Sequence, residues 1–190
     1  MDTVKETKTR VIQKGMHGFF FQNLSFVLKA RSDDESRYYM TGLHVEESED
    51  GTGMAICTDG LRLHIWKDFP TGWIAPGEYH VNSANIKMIV LEDDSENIVF
   101  PNWRKVMPDK DGRKEVSMDL AGKSLKKKEI GSFSRVAAQL AIESGCIINL
   151  KFLDDLSGHD WVAWYDEPYK SVLFENKTLT ALIMPMAKPN

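Results

Sequence analysis

The sequence has few of the features of membrane, secreted or disulfide-rich proteins. Its 190 residues include only two cysteines, Cys57 and Cys146, in no metal or disulfide pattern, so a reducing cytoplasm is the expected compartment. No apolar run approaches the roughly 20 residues of a membrane-spanning helix, and the first fifteen residues lack the apolar core of a signal peptide. We therefore expect a cytoplasmic protein with no membrane partner.

The motifs of the common catalytic sites are also missing. The five histidines have no zinc-ligand spacing, and the chain contains no GxSxG, Walker or GxGxxG motif. The acidic clusters do not alternate as a calcium loop does, so solvated loops explain them. The sequence favours a binding protein over an enzyme and predicts neither a cofactor nor a metal. An α+β enzyme with an unrecognised site is left open.

Positive charge is in slight deficit and unevenly distributed. The chain has 24 Lys+Arg against 28 Asp+Glu, with a net charge of −6 over residues 1–100 and +2 over residues 101–190. This balance excludes a wholly basic nucleic-acid-binding protein. Any binding to nucleic acid would have to use a local patch.

Hydrophobic periodicity predicts few helices and many strands. The helical period predicts helices over about 18–30, from Ser83 to about Leu91, and from Ser132 to the stop at Gly145. Asp59-Gly60 lies between apolar runs and predicts a two-residue hairpin with positive φ at both positions. Strands are predicted at about 37–46, 54–58, 61–66, 78–81, 97–100, 115–120, 146–153, 160–165, 170–175 and 178–186. The fold class is α+β, with a helix followed by an antiparallel meander at both ends.

Four separated segments, taken in chain order, resemble the bacterial DNA polymerase sliding clamp, the β subunit of the replicative polymerase. They are RYYMTG (37–42), CTDGLRL (57–63), FPNWRKVMP (100–108) and LIMPM (182–186). The family has a Tyr-Tyr strand, a TDGHRL hairpin, an FPDYRRVLP connector and a terminal MPM. The resemblance covers about 16–108 and 130–187. It departs from the family at Leu61, Trp103 and Lys105, and it leaves the family's first domain unmatched.

The resemblance implies a DNA-clamp-like fold that is shortened relative to the family. Residues 1–100 resemble the middle domain with its second half truncated, and residues 101–190 resemble the C-terminal domain with its first half reduced. Because the family forms closed rings, the resemblance also implies a homo-oligomer. A chain this short would need more than two subunits, or the ring would not close.

The same resemblance implies a processivity factor that tethers DNA polymerase or repair proteins to double-stranded DNA. The partners would carry a clamp-binding peptide that enters a hydrophobic pocket, with Arg62 at its rim. The implied pocket residues are Met40, Thr58, Gly60, Leu61, Arg62, Leu63, Pro101, Val106, Leu182, Met184, Pro185 and Met186. An ordinary hydrophobic core is the alternative explanation for Met40, Leu63 and Met184.

The DNA-facing residues that the resemblance implies would contact phosphates without reading sequence. They are Lys29, Arg31, Lys87, Lys126, Lys127, Lys128 and Arg135. Lys87 and Arg135 would lie on the polar faces of their helices, whereas a flexible basic loop is the alternative for Lys126 to Lys128. A second function is left open: a mimic that forms no ring and sequesters clamp-binding partners as a regulator.

Overall fold

The computed structural model describes residues 8–94, 98–119, 140–141, 145–166 and 170–186. The chain forms two compact units, each described here by itself. Unit 1 extends to Gly60 and resumes at His64–Asn102, and unit 2 consists of Leu61–Leu63 and the chain from Trp103 onward. The assignment of the two halves to the middle and C-terminal domains of a clamp stays a prediction.

Unit 1 is built on six strands. They are β1 (Thr9–Gln13), β2 (Leu43–Glu47), β3 (Gly53–Thr58), β4 (Arg62–Phe69), β5 (Gly77–Ala84) and β6 (Met88–Asp93). Their order in the sheet is β1-β6-β5-β2-β3-β4, with the first two residues of β4 counted in unit 2. The pairs β1–β6, β6–β5, β5–β2 and β2–β3 are antiparallel. Alternate residues of β2 and β5 are buried, as in a sheet with one face against a core.

The helix α1 (Lys14–Leu28) covers the core of unit 1. Phe20, Leu24 and Val27 are buried on one face, as their helical spacing predicts. The helix begins four residues earlier than predicted, and Gly18, with φ 21° and ψ −97°, interrupts its first part. No helix within the described ranges is both long enough and apolar enough to cross a lipid bilayer.

Unit 2 contains a four-stranded antiparallel sheet and a short helix. The strands are β7 (Lys114–Asp119), β8 (Asp160–Tyr165), β9 (Val172–Glu175) and β10 (Leu179–Ile183), in the order β10-β9-β8-β7. The helix α2 (Leu150–Asp154) is capped by Asn149, whose side chain accepts a hydrogen bond from the Lys151 N–H. The connector forms a 3-10 helix at Trp103–Val106. Trp161 and Phe174 are fully buried in the core.

The predicted helix from Ser83 to Leu91 is wrong. The segment is a hairpin of β5 and β6, in which Val81, Ile89 and Leu91 are buried at strand spacing. The side chain of Asn85 accepts hydrogen bonds from the N–H groups of Lys87 and Met88 and so closes the turn. Lys87 therefore lies in a turn and not on the polar face of a helix.

Other predicted elements need correction. Residues 35–40 form a 3-10 helix, Glu35–Met40, and the strand predicted at 37–46 begins only at Leu43. Residues 98–100 are irregular, and 146–153 contains α2 instead of a strand. In the Asp59-Gly60 turn, Gly60 alone has positive φ, at 85°. The predicted helix from Ser132 lies outside the described residues, apart from the helical Leu140 and Ala141.

Gly53 makes the closest backbone approach in unit 1. A Cβ at this position would clash with the Phe69 carbonyl oxygen and lie 2.6 Å from the Thr71 Cγ2 atom. We expect Gly53→Ala to lower the free energy of unfolding by about 2–3 kcal/mol, because backbone must move to make room. Urea unfolding measures this loss. Gly72→Ala, with nothing within 4 Å of its Cβ, is the matched control. Equal effects of the two changes would contradict the expectation.

Candidate functional site

An exposed apolar surface of unit 2 follows the chain after β10. The Met184 N–H donates to the Leu61 carbonyl oxygen at 2.8 Å, and the Met186 N–H donates to the Ile147 carbonyl oxygen at 2.7 Å. The segment is thus fixed between the residue before β4 and the loop before α2. The side chains remain accessible: Leu61 is 56% exposed, Ile147 47%, Met184 41% and Met186 53%. We call these four residues the apolar surface.

Sequence reasoning identified three of the four residues of the apolar surface. Leu61, Met184 and Met186 belong to the set that the clamp resemblance implies. Ile147 was missed, together with the exposed Leu150 three residues later, because 146–153 was interpreted as a strand. The signal that could have found α2 is Asn149, a good N-cap residue directly before Leu150. Clusters of exposed apolar side chains of this kind are typical of interaction sites.

The other predicted pocket residues of unit 2 do not belong to the apolar surface as defined above. Leu63 and Leu182 are buried in the core. Pro185 lies between the two exposed methionines and is half-buried. Val106 is exposed in the connector helix Trp103–Val106, and within the described residues no hydrogen bond joins it to the apolar surface. The structure therefore groups the C-terminal segment with Leu61 through the Met184–Leu61 hydrogen bond, and the place of Val106 in the pocket stays a prediction.

Arg62 is engaged by a buried ion pair. Its guanidinium contacts the Asp155 carboxylate, and the two side chains are only 9% and 13% exposed. The guanidinium carbon also lies 4.6 Å from the centroid of the Phe152 ring. The charge predicted at the pocket rim is therefore neutralised within unit 2. A ligand of the apolar surface meets a paired arginine and not an open cationic site.

Three of the predicted pocket residues of unit 1, Met40, Thr58 and Gly60, lie together at the turn between β3 and β4. The Gly60 N–H donates to Thr58 Oγ1 at 3.1 Å, and the Met40 Cε atom would lie 4.0 Å from a Cβ at Gly60. Met40 comes from the 3-10 helix and not from a strand. Arg37, which sequence reasoning missed, donates to the Asp59 carbonyl oxygen at 3.1 Å. Pro101 is half-buried near the end of this unit.

The predicted DNA-facing residues are only partly described. Lys29, which is exposed, and Arg31, which is half-buried, follow the C-terminal end of α1. Lys87 lies at the other end, because its carbonyl oxygen accepts from the Lys14 N–H at 2.9 Å. The two groups therefore lie at opposite ends of α1, with the interruption at Gly18 between them. Lys126, Lys127, Lys128 and Arg135 lie outside the described residues.

His44 on β2 is held between two carboxylates near the end of unit 1. Its Nδ1 lies 2.6 Å from Glu78 Oε1, and its Nε2 lies 3.2 Å from Glu46 Oε2. The ring stacks on Phe100 with centroids 4.7 Å apart. Burial lowers the pKa of His44, but the hydrogen bonds and negative charges of Glu78 and Glu46 outweigh it and raise the pKa above the ordinary 6.5. Across the described ranges, no group of three His, Cys, Asp or Glu side chains has the arrangement of a metal site.

The raised pKa of His44 predicts that its contribution to the free energy of unfolding decreases as the pH rises. A group that binds its proton more tightly when folded stabilises the protein below its unfolded pKa, and the contribution is lost as the pH rises through the folded pKa. We expect His44→Gln to cost about 1–3 kcal/mol near pH 6, because the charged hydrogen bonds are lost. The cost should shrink by pH 8.5. Urea unfolding of both proteins at the two pH values checks this, and a difference independent of pH would contradict it.

Comparison with known proteins assigns the fold. No protein-family model and no curated protein sequence matches the chain. Its structure matches that of the β sliding clamp of C. crescentus with a TM-score of 0.64 and 17% identity, over 99% of this chain and 68% of the clamp chain. The chain has a sliding-clamp-like fold. This confirms the predicted fold class and its likeness to the bacterial clamp.

Further clamps from other bacteria match in the same way. DNA polymerase III subunit beta from Pseudomonas aeruginosa matches with a TM-score of 0.60 and 16% identity, over 98% of this chain and 69% of that one. The subunit from Borrelia burgdorferi matches with a TM-score of 0.58 and 13% identity, over 100% of this chain and 65% of that one. The chain thus spans about two thirds of the length of the clamps that it resembles.

Proposed function

We propose that the chain is a clamp-like tethering protein with no catalytic activity of its own. It recruits DNA polymerase or repair proteins to double-stranded DNA, and a short peptide of each partner binds the apolar surface. The observation that carries this proposal is the cluster of half-exposed Leu61, Ile147, Met184 and Met186 on a sliding-clamp-like fold. We place this activity in the cytoplasm, in a homo-oligomer.

The chemistry of the apolar surface suits a peptide with hydrophobic anchors. Each leucine or aromatic side chain that becomes fully buried gains about 1.5–3 kcal/mol. Methionine is flexible and polarisable, so Met184 and Met186 can adapt to several partners. Two clamps of the same fold hold ligands: the C. crescentus clamp binds polyethylene glycol, and the Bartonella birtlesii clamp binds griselimycin. These complexes support a ligand-binding role for the fold.

Contacts to DNA would be few in each subunit. Lys29, Arg31 and Lys87 are the described candidates, and they lie at opposite ends of α1. Three phosphate contacts give weak, salt-sensitive binding with no sequence preference. Enclosure of the DNA by an oligomer would therefore have to supply most of the tethering.

Titration of a fluorescent clamp-binding peptide tests the proposed peptide site. We expect saturable binding to the wild-type protein at micromolar concentration and none to a scrambled peptide of the same composition. Val99→Ala, which truncates an exposed side chain of unit 1 outside the apolar surface, should bind as the wild type does. Absence of binding at high micromolar concentration would remove the peptide site from the account.

A regulator that sequesters clamp-binding partners is the second candidate function. It is favoured by the small number of described candidates for phosphate contact, Lys29, Arg31 and Lys87, which lie at opposite ends of α1. Such a protein would keep the apolar surface but bind DNA poorly. Light scattering separates the two candidates, because a stable oligomer is expected of a tether and a monomer of a regulator.

A further inference from the structure

Unit 1 contains a cavity that the proposed function does not use. Its volume is about 270 Å³, and it lies between β1, the first part of α1 and the loop that follows β4. Arg10 and Ile12 contribute from β1, His17 and Phe20 from α1, and Trp73 and Ile74 from the loop. Three separate chain segments therefore bring apolar walls and one permanent positive charge to the same place.

Trp73 forms an aromatic wall of the cavity. Its ring stacks on Phe20 with centroids 5.3 Å apart and an interplanar angle of 27°, and the edge contact to His17 also measures 5.3 Å. The residue nevertheless remains 55% exposed, which is unusual for the largest apolar side chain. One side of the indole is thus fixed by its neighbours, while much of its surface remains available to a ligand.

The polar groups of the cavity differ in their availability. His17 Nδ1 lies 3.0 Å from both the N and the O of Gln13, so its ring is oriented by the backbone. Arg10 is exposed, and within the described ranges no carboxylate lies at ion-pair distance from its guanidinium. The neighbouring strand carries two acidic residues. Glu92, the register partner of Thr9, accepts a hydrogen bond from the Asn82 side chain, and Asp93 lies two positions beyond Leu91, the register partner of Arg10. Arg10 therefore offers a planar pair of donors at the cavity.

We propose that this cavity binds a small aromatic carboxylate, with the ring against Trp73 and the carboxylate on Arg10. The volume is near the lower end of small-molecule sites, so it suits a ligand of one or two rings and not an extended peptide. An aliphatic wall from Ile12 and Ile74 suits the apolar body of the ligand. The unpaired guanidinium favours an anion over a neutral or cationic analogue of the same shape.

Three probes of matched shape test the charge preference. Phenylacetate, phenylacetamide and phenethylammonium are titrated into the full chain, and the indole N–H signals of its five tryptophans are followed by NMR. We expect the Trp73 signal, assigned with Trp73→Phe, to shift most with phenylacetate. Its apparent affinity should exceed that of the amide at least fivefold, and the ammonium should not bind.

Variants of Arg10 distinguish a specific carboxylate site from a nonspecific contact with apolar side chains. Arg10→Gln should reduce phenylacetate binding to the level of the amide, while Arg10→Lys, which keeps the charge, should retain part of the preference. Arg104→Gln, a change at an exposed arginine of unit 2, should leave all three titrations unchanged. Equal affinity for acid and amide, or a preference that survives Arg10→Gln, would overturn the proposal. Circular dichroism establishes that each variant is folded.

Discussion

Replacing Met184 by Asp is expected to weaken binding of the partner peptide at least 100-fold. The side chain is 41% exposed on the apolar surface, and its backbone hydrogen bond to Leu61 does not depend on the residue type. The change removes apolar contact worth about 1.5–3 kcal/mol and adds a charge that the peptide would have to desolvate. A loss of about 2.8 kcal/mol corresponds to 100-fold. Fluorescence anisotropy with the labelled peptide measures the effect.

The control for this change is Ile86→Asp. Ile86 is also an exposed apolar residue, but it lies in the turn between β5 and β6 of unit 1. We expect peptide binding and thermal stability of this variant to match those of the wild type. If Met184→Asp binds within threefold of the wild type, or if the two variants lose affinity equally, Met184 is not part of the peptide site.

Replacing Asp155 by Ala is expected to lower the free energy of unfolding by about 3–5 kcal/mol. The change removes the carboxylate from a buried ion pair and leaves the Arg62 guanidinium, beside Phe152, without that partner. Removal of one member of such a pair is far more costly than replacement of both. The double variant Arg62→Met, Asp155→Leu should therefore recover most of the loss. Urea unfolding of the three proteins measures these differences.

An exposed ion pair in the same unit provides the comparison. Lys170 Nζ lies 3.0 Å from Asp166 Oδ2, and both side chains are accessible to water. We expect Asp166→Ala to change stability by less than about 0.5 kcal/mol, because surface pairs contribute little. Comparable losses for Asp155→Ala and Asp166→Ala would contradict the structural role assigned to the Arg62–Asp155 pair.

The sequence predicted secondary structure best where apolar residues repeat clearly at either helical or strand spacing. The apolar residues of α1 repeat at helical spacing, so its C-terminal part, up to Leu28, was predicted correctly. Strands β3 and β4 flank a recognisable Asp-Gly turn, although its geometry differs from the predicted one. Strand β1 was missed because, of its five residues, only Ile12 is buried, which leaves no alternation to detect.

The helix predicted from Ser83 shows how a short apolar run misleads. Ile86, Ile89 and Val90 match helical spacing, but Ile86 is exposed in a turn and Ile89 is buried in β6. Over so few residues, helical and strand periods cannot be told apart without knowing which neighbour covers each face. The pairing of β5 and β6 with other strands determines that this segment forms strands, and that pairing depends on tertiary structure.

The candidate site was predicted in part for a similar reason. Leu61, Met184 and Met186 were found through the resemblance, which places the turn and the C-terminal segment in one pocket. The partner of Arg62 could not be found in this way, because Asp155 lies 93 residues away and in none of the four motifs that carry the resemblance. Ile147 was likewise accessible only from the folded chain, through its backbone hydrogen bond with Met186.

Methyl NMR of methionine-labelled protein tests the central claim most directly. The chain contains nine methionines, and Met184→Leu and Met186→Leu assign the two methyl signals of the apolar surface. On addition of the clamp-binding peptide, we expect these two signals to shift in proportion to occupancy. The signal of Met16, an exposed methionine of α1, should stay fixed. A peptide that binds while the Met184 and Met186 signals remain unchanged would contradict the account.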